Sequence, residues 1–259
     1  MVYTRLIKKA ISFSIQVHET DQKQKRKGKD IAYIVHPLSV GLILARAGAS
    51  EEVIVAGMLH DTLEDSIAEK KITKATLMEE FNEEIANLVL SVTEQNKELP
   101  WEVRKREALD HIGTFSHGAL LVKSADVLNN ATELLEDYKK NGDAVFERFN
   151  APKEKIIENQ LRAINAIIKC WKENPLARDL VFLANDLQMI GASYFMPNSP
   201  AKIIEYKDYD ENTELECPVC GWKGTPGSSG CINTDSHFAM DVSCPICGKM
   251  ILVADYAST

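Results

Sequence analysis

The chain has 259 residues, 45% of them hydrophobic and 26% charged, with a net charge of −8. Such a length can bury a sizeable core and predicts one domain of about 200 residues with a small appendage. The acidic balance argues against general nucleic-acid binding, which needs a broadly basic face. The lack of a long apolar run or a signal pattern argues against a membrane span and predicts a cytoplasmic protein.

The first element expected is an amphipathic helix over 1–17, with Leu6, Ile7, Ala10, Ile11 and Phe13 on its apolar side. A polar loop over 20–30 follows, carrying Lys23, Lys25, Arg26, Lys27 and Lys29. In Tyr33-Ile34-Val35-His36-Pro37 the proline suits a helix start and leaves His36 at the entrance of a helix over 38–47. Gly48 stops that helix, and Ser50 with Glu51 and Glu52 starts the next.

This next helix is apolar from Val53 to Leu59 and then turns polar at His60, Asp61, Glu64 and Asp65. Read as one helix, those four project at roughly 0°, 100°, 40° and 140°, on a common side. Three carboxylates and an imidazole are costly to bury unless a cation compensates them. Nitrogen and oxygen ligands together suit manganese or iron better than a thiolate-loving metal.

Further helices are expected over 74–92, with Leu77, Phe81, Ile85, Leu88 and Val89 on one face, and over 101–112, which carries Arg104, Lys105 and Arg106. Over 119–138, Asp126 interrupts a core pattern of Leu120, Leu121, Leu128, Leu134 and Leu135, and Asn130 lies one turn later. Taken singly these residues have plainer readings: a helix acid capped by Lys123, and solvated basic faces. Asn141-Gly142 ends that helix, and two closing helices are expected over 153–171 and 176–190, with Cys170 read as a small core residue.

Composition then shifts to a linker over 196–213, with a short strand expected at 203–206. The tail, 214–259, holds Cys217-Pro218-Val219-Cys220-Gly221 and Cys244-Pro245-Ile246-Cys247-Gly248. Two such knuckles predict a structural zinc site in which Cys217, Cys220, Cys244 and Cys247 fill the tetrahedron. Cys231 and His237 lie between them. With few apolar residues after Glu216, the tail is expected to draw its folding free energy largely from the metal.

Collected in order, Tyr33-Ile34-x-His36-Pro37, His60-Asp61-x-x-Glu64-Asp65, Val92-Thr93 and Val122-Lys123-x-Ala125-Asp126-x-x-x-Asn130 resemble the hydrolase domain of RelA/SpoT-type enzymes, within the HD-domain phosphohydrolases. The resemblance covers roughly 1–190 and implies an all-helical fold for a domain expected over 1–195, followed here by a zinc-ribbon-like β tail. Its stand-alone members, the small alarmone hydrolases, remove the 3′-pyrophosphate of guanosine tetra- and pentaphosphate, usually with manganese. Carried over by position, His36, His60, Asp61 and Asp126 would hold the ion, and Glu64 and Asp65 would act just outside its ligand shell. Glu64 is the first choice to orient or deprotonate the attacking water. Arg26, Lys27, Arg104, Lys105, Arg106, Lys123 and Asn130 would bind the nucleotide polyphosphate. Val103, Ser124 and Val127 depart from the family pattern, and nothing after 190 resembles its synthetase domain. The competing readings are a phosphohydrolase of another nucleotide and, in a different class, a ligand-sensing or nucleic-acid-binding module.

Overall fold

Thr4 opens the first helix by accepting the Ile7 N–H, which satisfies one of the donors that a helix start leaves over. The computed structural model describes residues 3–94, 98–190, 202–217, 221–234, 239–246 and 250–256. The chain divides into two units, Met1–Leu183 and Ala184–Thr259.

The first helix, α1 (Arg5–Ile15), runs into a π-helical turn, Gln16–Asp21, where the sequence suggested a loop from 20 onward. Then come α2 (Val35–Arg46), α3 (Glu51–Leu59), α4 (Thr62–Asp65), α5 (Lys74–Glu80), α6 (Glu83–Val92), α7 (Trp101–Ile112), α8 (His117–Asn141), α9 (Lys153–Cys170) and α10 (Ala177–Met189). The expected single helix over 74–92 is two helices. Asn82, at φ −166°, caps α6 by accepting the Ile85 N–H at 2.8 Å, and this local bond competes successfully with helix continuation. Cys170 ends α9 on the surface and is exposed, so its reading as a core residue is corrected.

α3 is the axis of the helical unit. It packs against α1, α2, α6 and α8, so all seven residues from Val53 to Leu59 are buried and the helix has no polar face. Two glycines let α2 and α3 approach. A Cβ on Gly57 would lie 2.2 Å from Leu44 Cδ1, and one on Gly41 would lie 2.5 Å from Met58 Cε. Gly142, at φ 58°, ends the long α8 as the sequence indicated.

The second unit contains β1 (Lys202–Glu205), β2 (Leu215–Glu216), β3 (Lys223–Gly224), α11 (Pro226–Ser229), β4 (Ile232–Asn233), β5 (Ala239–Ser243) and β6 (Met250–Asp255). One sheet has the order β1-β6-β5-β4, with β1 parallel to β6 and the other pairs antiparallel. β2 and β3 form a separate antiparallel pair, closed by Cys217 N–H donating to Trp222 O at 2.8 Å, with Gly221 at φ +74° in the turn. The tail is more apolar in packing than its composition suggested. Leu215, Cys217, Val242, Cys244, Ile251 and Leu252 form one buried cluster, because β5 and β6 are covered on both faces. Cys220, Cys247 and His237 lie outside the described residues. Among the described residues no helix is long and apolar enough to cross a membrane.

Candidate functional site

The site forms where α3 stops. His60 Nδ1–H donates to Gly57 O at 2.7 Å and Thr62 Oγ1–H to Leu59 O at 2.7 Å, so side chains take up carbonyls released by the ending helix. The chain therefore breaks at His60 and Asp61 and restarts as α4. The continuous stripe inferred from a 100° period is corrected accordingly. His60 and Asp61 reach the site from a turn, Glu64 from α4, His36 from the first turn of α2 and Asp126 from the middle of α8.

Four acceptor atoms converge. His36 Nε2 lies 3.2 Å from His60 Nε2, 3.5 Å from Asp61 Oδ2 and 3.4 Å from Asp126 Oδ1. His60 Nε2 lies 3.0 Å from Asp61 Oδ2 and 3.8 Å from Asp126 Oδ1. His36 Nδ1 faces Asn129 Oδ1 at 2.6 Å and His60 Nδ1 faces the Gly57 carbonyl, so both rings carry hydrogen on Nδ1 and turn Nε2 inward. Buried acceptors brought this close need a positive charge among them. Burial disfavours a charged His60, yet Asp61, Asp126 and the Gly57 carbonyl outweigh it and lift its pKa to about 9. Burial likewise works against ionised Asp61 and Asp126. The His60 imidazole holds Asp61 below the usual carboxylate range, and Lys123 with the two histidines does the same for Asp126. A single proton satisfies only part of this arrangement, whereas a divalent ion would take up the His36, His60 and Asp126 atoms together. The ligand atoms of His36, His60 and Asp126 lie within 4.8 Å of one another, and this donor set fits such an ion.

Neighbours hold the carboxylates in place. Tyr33 O–H donates to Asp61 Oδ2 at 2.5 Å, Lys123 Nζ to Asp126 Oδ2 at 2.8 Å, and Asn130 Nδ2 to Asp126 Oδ1 at 2.6 Å. Glu64 lines the same small cavity and accepts the Glu94 backbone N–H at 2.6 Å. Asp65 turns the other way, accepting from Gln24 Nε2 at 2.9 Å.

Beside this cluster opens a cavity of about 870 Å³, which shares Glu94, Lys105, Lys123, Asp126 and Asn130 with it. Its lining mixes the cations Arg104, Lys105 and Lys123 and the acids Glu94, Glu107, Asp110 and Asp126 with the apolar Leu109, Ile112, Phe115, Val127 and Ala163. Such an amphipathic space suits a ligand with an anionic end and an aromatic end. Glu94 bridges two of these cations, accepting from Arg104 at 2.7 Å and from Lys105. Burial alone would raise the Glu94 pKa, but Lys105 and Arg104 pull it below the ordinary value.

Not every sequence candidate reaches this space. Arg26 donates to Asn130 Oδ1 at 2.8 Å and pairs with Glu133 at 2.6 Å, beside the site. Lys27 is exposed and lies over the Phe149 ring, and Arg106 is exposed; neither lines the two cavities. Sequence reasoning gave no role to Tyr33, Glu94, Asn129 or Gln24. Asn129 had a usable signal, since it sits three residues after Asp126 on the same helix side, whereas Glu94 and Gln24 become neighbours of the site only through folding.

The model of the HD domain matches residues 10–156. Guanosine-3′,5′-bis(diphosphate) 3′-pyrophosphohydrolase MESH1 of Danio rerio is 35% identical over 133 residues, covering 51% of this chain and 70% of that protein. A crystal structure of a Listeria monocytogenes EGD-e protein superposes with a TM-score of 0.54 at 32% identity, covering 60% of this chain and 97% of the other. A metazoan ortholog of SpoT, described as hydrolysing ppGpp, superposes with a TM-score of 0.54 and 20% identity over 73% of this chain and 94% of its own, a likeness of fold.

Proposed function

Because this chain belongs to the HD-domain family, we propose that it is a divalent-metal-dependent hydrolase that removes the 3′-pyrophosphate of guanosine tetra- and pentaphosphate. One observation carries the reading. The converging acceptor atoms and the Glu64 carboxylate adjoin a cavity of about 870 Å³ whose lining includes Arg104, Lys105 and Lys123 together with the apolar Leu109, Ile112, Phe115, Val127 and Ala163.

His36, His60, Asp61 and Asp126 hold the ion, which is manganese in this reading. When bound, it supplies Lewis-acid activation of water and of a phosphoryl oxygen. Glu64 is anchored by the Glu94 N–H and orients the attacking water and takes its proton. Lys123, with Arg104 and Lys105, offsets the charge of the diphosphate, and a substrate phosphate replaces Glu94 between the latter two. Asn130 uses its amide on Asp126 and Arg26 and so steadies a ligand carboxylate. The base packs on the apolar side chains of that lining. In the tail, Cys217, Cys220, Cys244 and Cys247 hold one structural zinc; the burial of Cys217 and Cys244 in one cluster supports this assignment.

The test is to incubate manganese-loaded protein with guanosine and adenosine polyphosphates and separate the products. GDP and intact pyrophosphate from guanosine tetraphosphate support the reading. Orthophosphate alone, or turnover of adenine nucleotides alone, overturns it.

A further inference from the structure

We infer that Arg26 and Glu133 are positioning residues for the Asp126 carboxylate, acting on it through the amide of Asn130; the inference rests on the ligand set proposed above. Along α8, Asp126, Asn130, Glu133 and Asp137 project at roughly 0°, 40°, −20° and 20°, a polar stripe on a helix that buries Leu120, Leu121, Leu128, Leu134 and Leu135. The basic loop lies along this stripe. Arg26 N–H donates to Ile31 O at 2.8 Å and Lys29 N–H to Arg26 O at 3.0 Å, with Gly28 between them at φ +73°. This tight turn sends both side chains to α8. Arg26 Nε and Nη2 reach Glu133 Oε2 at 3.0 and 2.6 Å, and Lys29 Nζ lies 2.6 Å from both Glu133 Oε1 and Asp137 Oδ2. A Cβ on Gly28 would lie 2.9 Å from Arg148 Cδ, and Arg148 in turn pairs with Asp137 at 2.7 Å. Burial works against an ionised Glu133, but Arg26 and Lys29 hold its pKa below the ordinary value.

This clamp fixes the direction of an amide. A guanidinium only donates, and Arg26 Nη2 lies 2.8 Å from Asn130 Oδ1, so the Asn130 nitrogen faces the other way. There Nδ2 donates to Asp126 Oδ1 at 2.6 Å. That oxygen is the one that faces His36 Nε2 at 3.4 Å and His60 Nε2 at 3.8 Å, while Oδ2 accepts from Lys123. Turned over, the amide would set its own oxygen against the carboxylate and repel it. Arg26 removes that alternative, and Glu133 holds Arg26 in place to do so. Asn130 lines both cavities, whereas Arg26 and Glu133 line neither, so their route to the chemistry runs through Asn130 to a ligand oxygen. Groups that orient a ligand from behind in this way tune the hold on the metal without touching it.

The test reads metal before activity. Manganese is titrated into the full, substrate-free chain, and the free ion is followed by electron paramagnetic resonance. Arg26→Met and Glu133→Leu are each expected to weaken manganese binding about tenfold. In an Asn130→Ala background Arg26→Met should add nothing, because the amide it directs is gone. At saturating manganese, KM for guanosine tetraphosphate in Arg26→Met is expected to stay within about twofold of the parent. If Arg26→Met fails to fold, Glu133→Leu carried through the same cycle with Asn130→Ala decides the matter. Unchanged manganese affinity in Arg26→Met or in Asn130→Ala, or losses that multiply in the double variant, would overturn the inference. A raised KM at unchanged manganese affinity would also overturn it and make Arg26 a ligand of the nucleotide. Absence of manganese binding by the parent overturns the ligand set and this role together. The expected losses of manganese without any hydrolysis of guanosine tetraphosphate would leave this role standing and overturn the substrate reading alone.

Discussion

His36 Nε2 and His60 Nε2 face each other at 3.2 Å, each on a ring whose other nitrogen is committed, to Asn129 and to the Gly57 carbonyl. The lone pairs of the two Nε2 atoms repel unless a proton or a cation lies between them. With Asp61 and Asp126 beside them, the protein has built a hole for a cation. His60→Ala and Asp126→Ala are each expected to abolish binding of the divalent ion by the helical unit, as read by metal analysis of purified protein. Stoichiometric manganese in both variants would remove these residues from the ligand set.

Glu64 accepts the Glu94 N–H and lines the cavity without belonging to the group of converging ligand atoms. Glu64→Gln keeps the shape and the hydrogen bond but loses the basic oxygen. Turnover is expected to fall on the order of a hundredfold, with KM and metal content held. A variant with near-normal kcat would assign proton removal elsewhere.

Glu94 sits where a phosphate would meet Arg104 and Lys105. These partly exposed ion pairs contribute modestly, about 1 kcal/mol or less each. Glu94→Gln keeps the backbone N–H to Glu64 and weakens the hold on the two cations. KM for guanosine tetraphosphate is expected to fall, by about fivefold if one pair is released and by about thirtyfold at most if both are. An increase in KM would show that Glu94 organises the pair instead of competing with substrate.

Gly57 has no room for a methyl group, since a Cβ there would meet Leu44 Cδ1 at 2.2 Å and Val40 Cγ1 at 3.2 Å. Gly57→Ala must push α2 away from α3, and overpacking of this kind costs about 1–3 kcal/mol. Thermal unfolding should register that loss. Because the Gly57 carbonyl also orients His60, metal affinity should fall with it. An unchanged midpoint would mean that α2 yields freely.

Zinc removal tests the tail. Four thiolates holding zinc as proposed would leave no open coordination position, so a chelator selective for zinc should loosen the second unit without abolishing hydrolysis by the manganese-loaded protein. The cluster of Leu215, Val242, Ile251 and Leu252 should retain part of the sheet after the metal leaves. Complete loss of turnover on zinc removal, with manganese still bound, would place the tail in the catalytic unit.

By itself the sequence determined where most of the helices lie and which residue types could serve as ligands. An apolar run from Val53 to Leu59 can only be buried, Gly142 can only end a helix cheaply, and histidines and acids at 36, 60, 61 and 126 need a shared cation once they are buried. Only the tertiary structure decided how these residues meet. The break at His60 and Asp61 depends on carbonyls of Gly57 and Leu59 being claimed by side chains, which a 100° period cannot anticipate. The roles of Tyr33, Gln24, Glu94 and Asn129 rest on pairings across 28, 41, 30 and 93 residues of chain. Local periodicity carries no information at such separations, because the partners are selected by helix packing and not by neighbours in sequence.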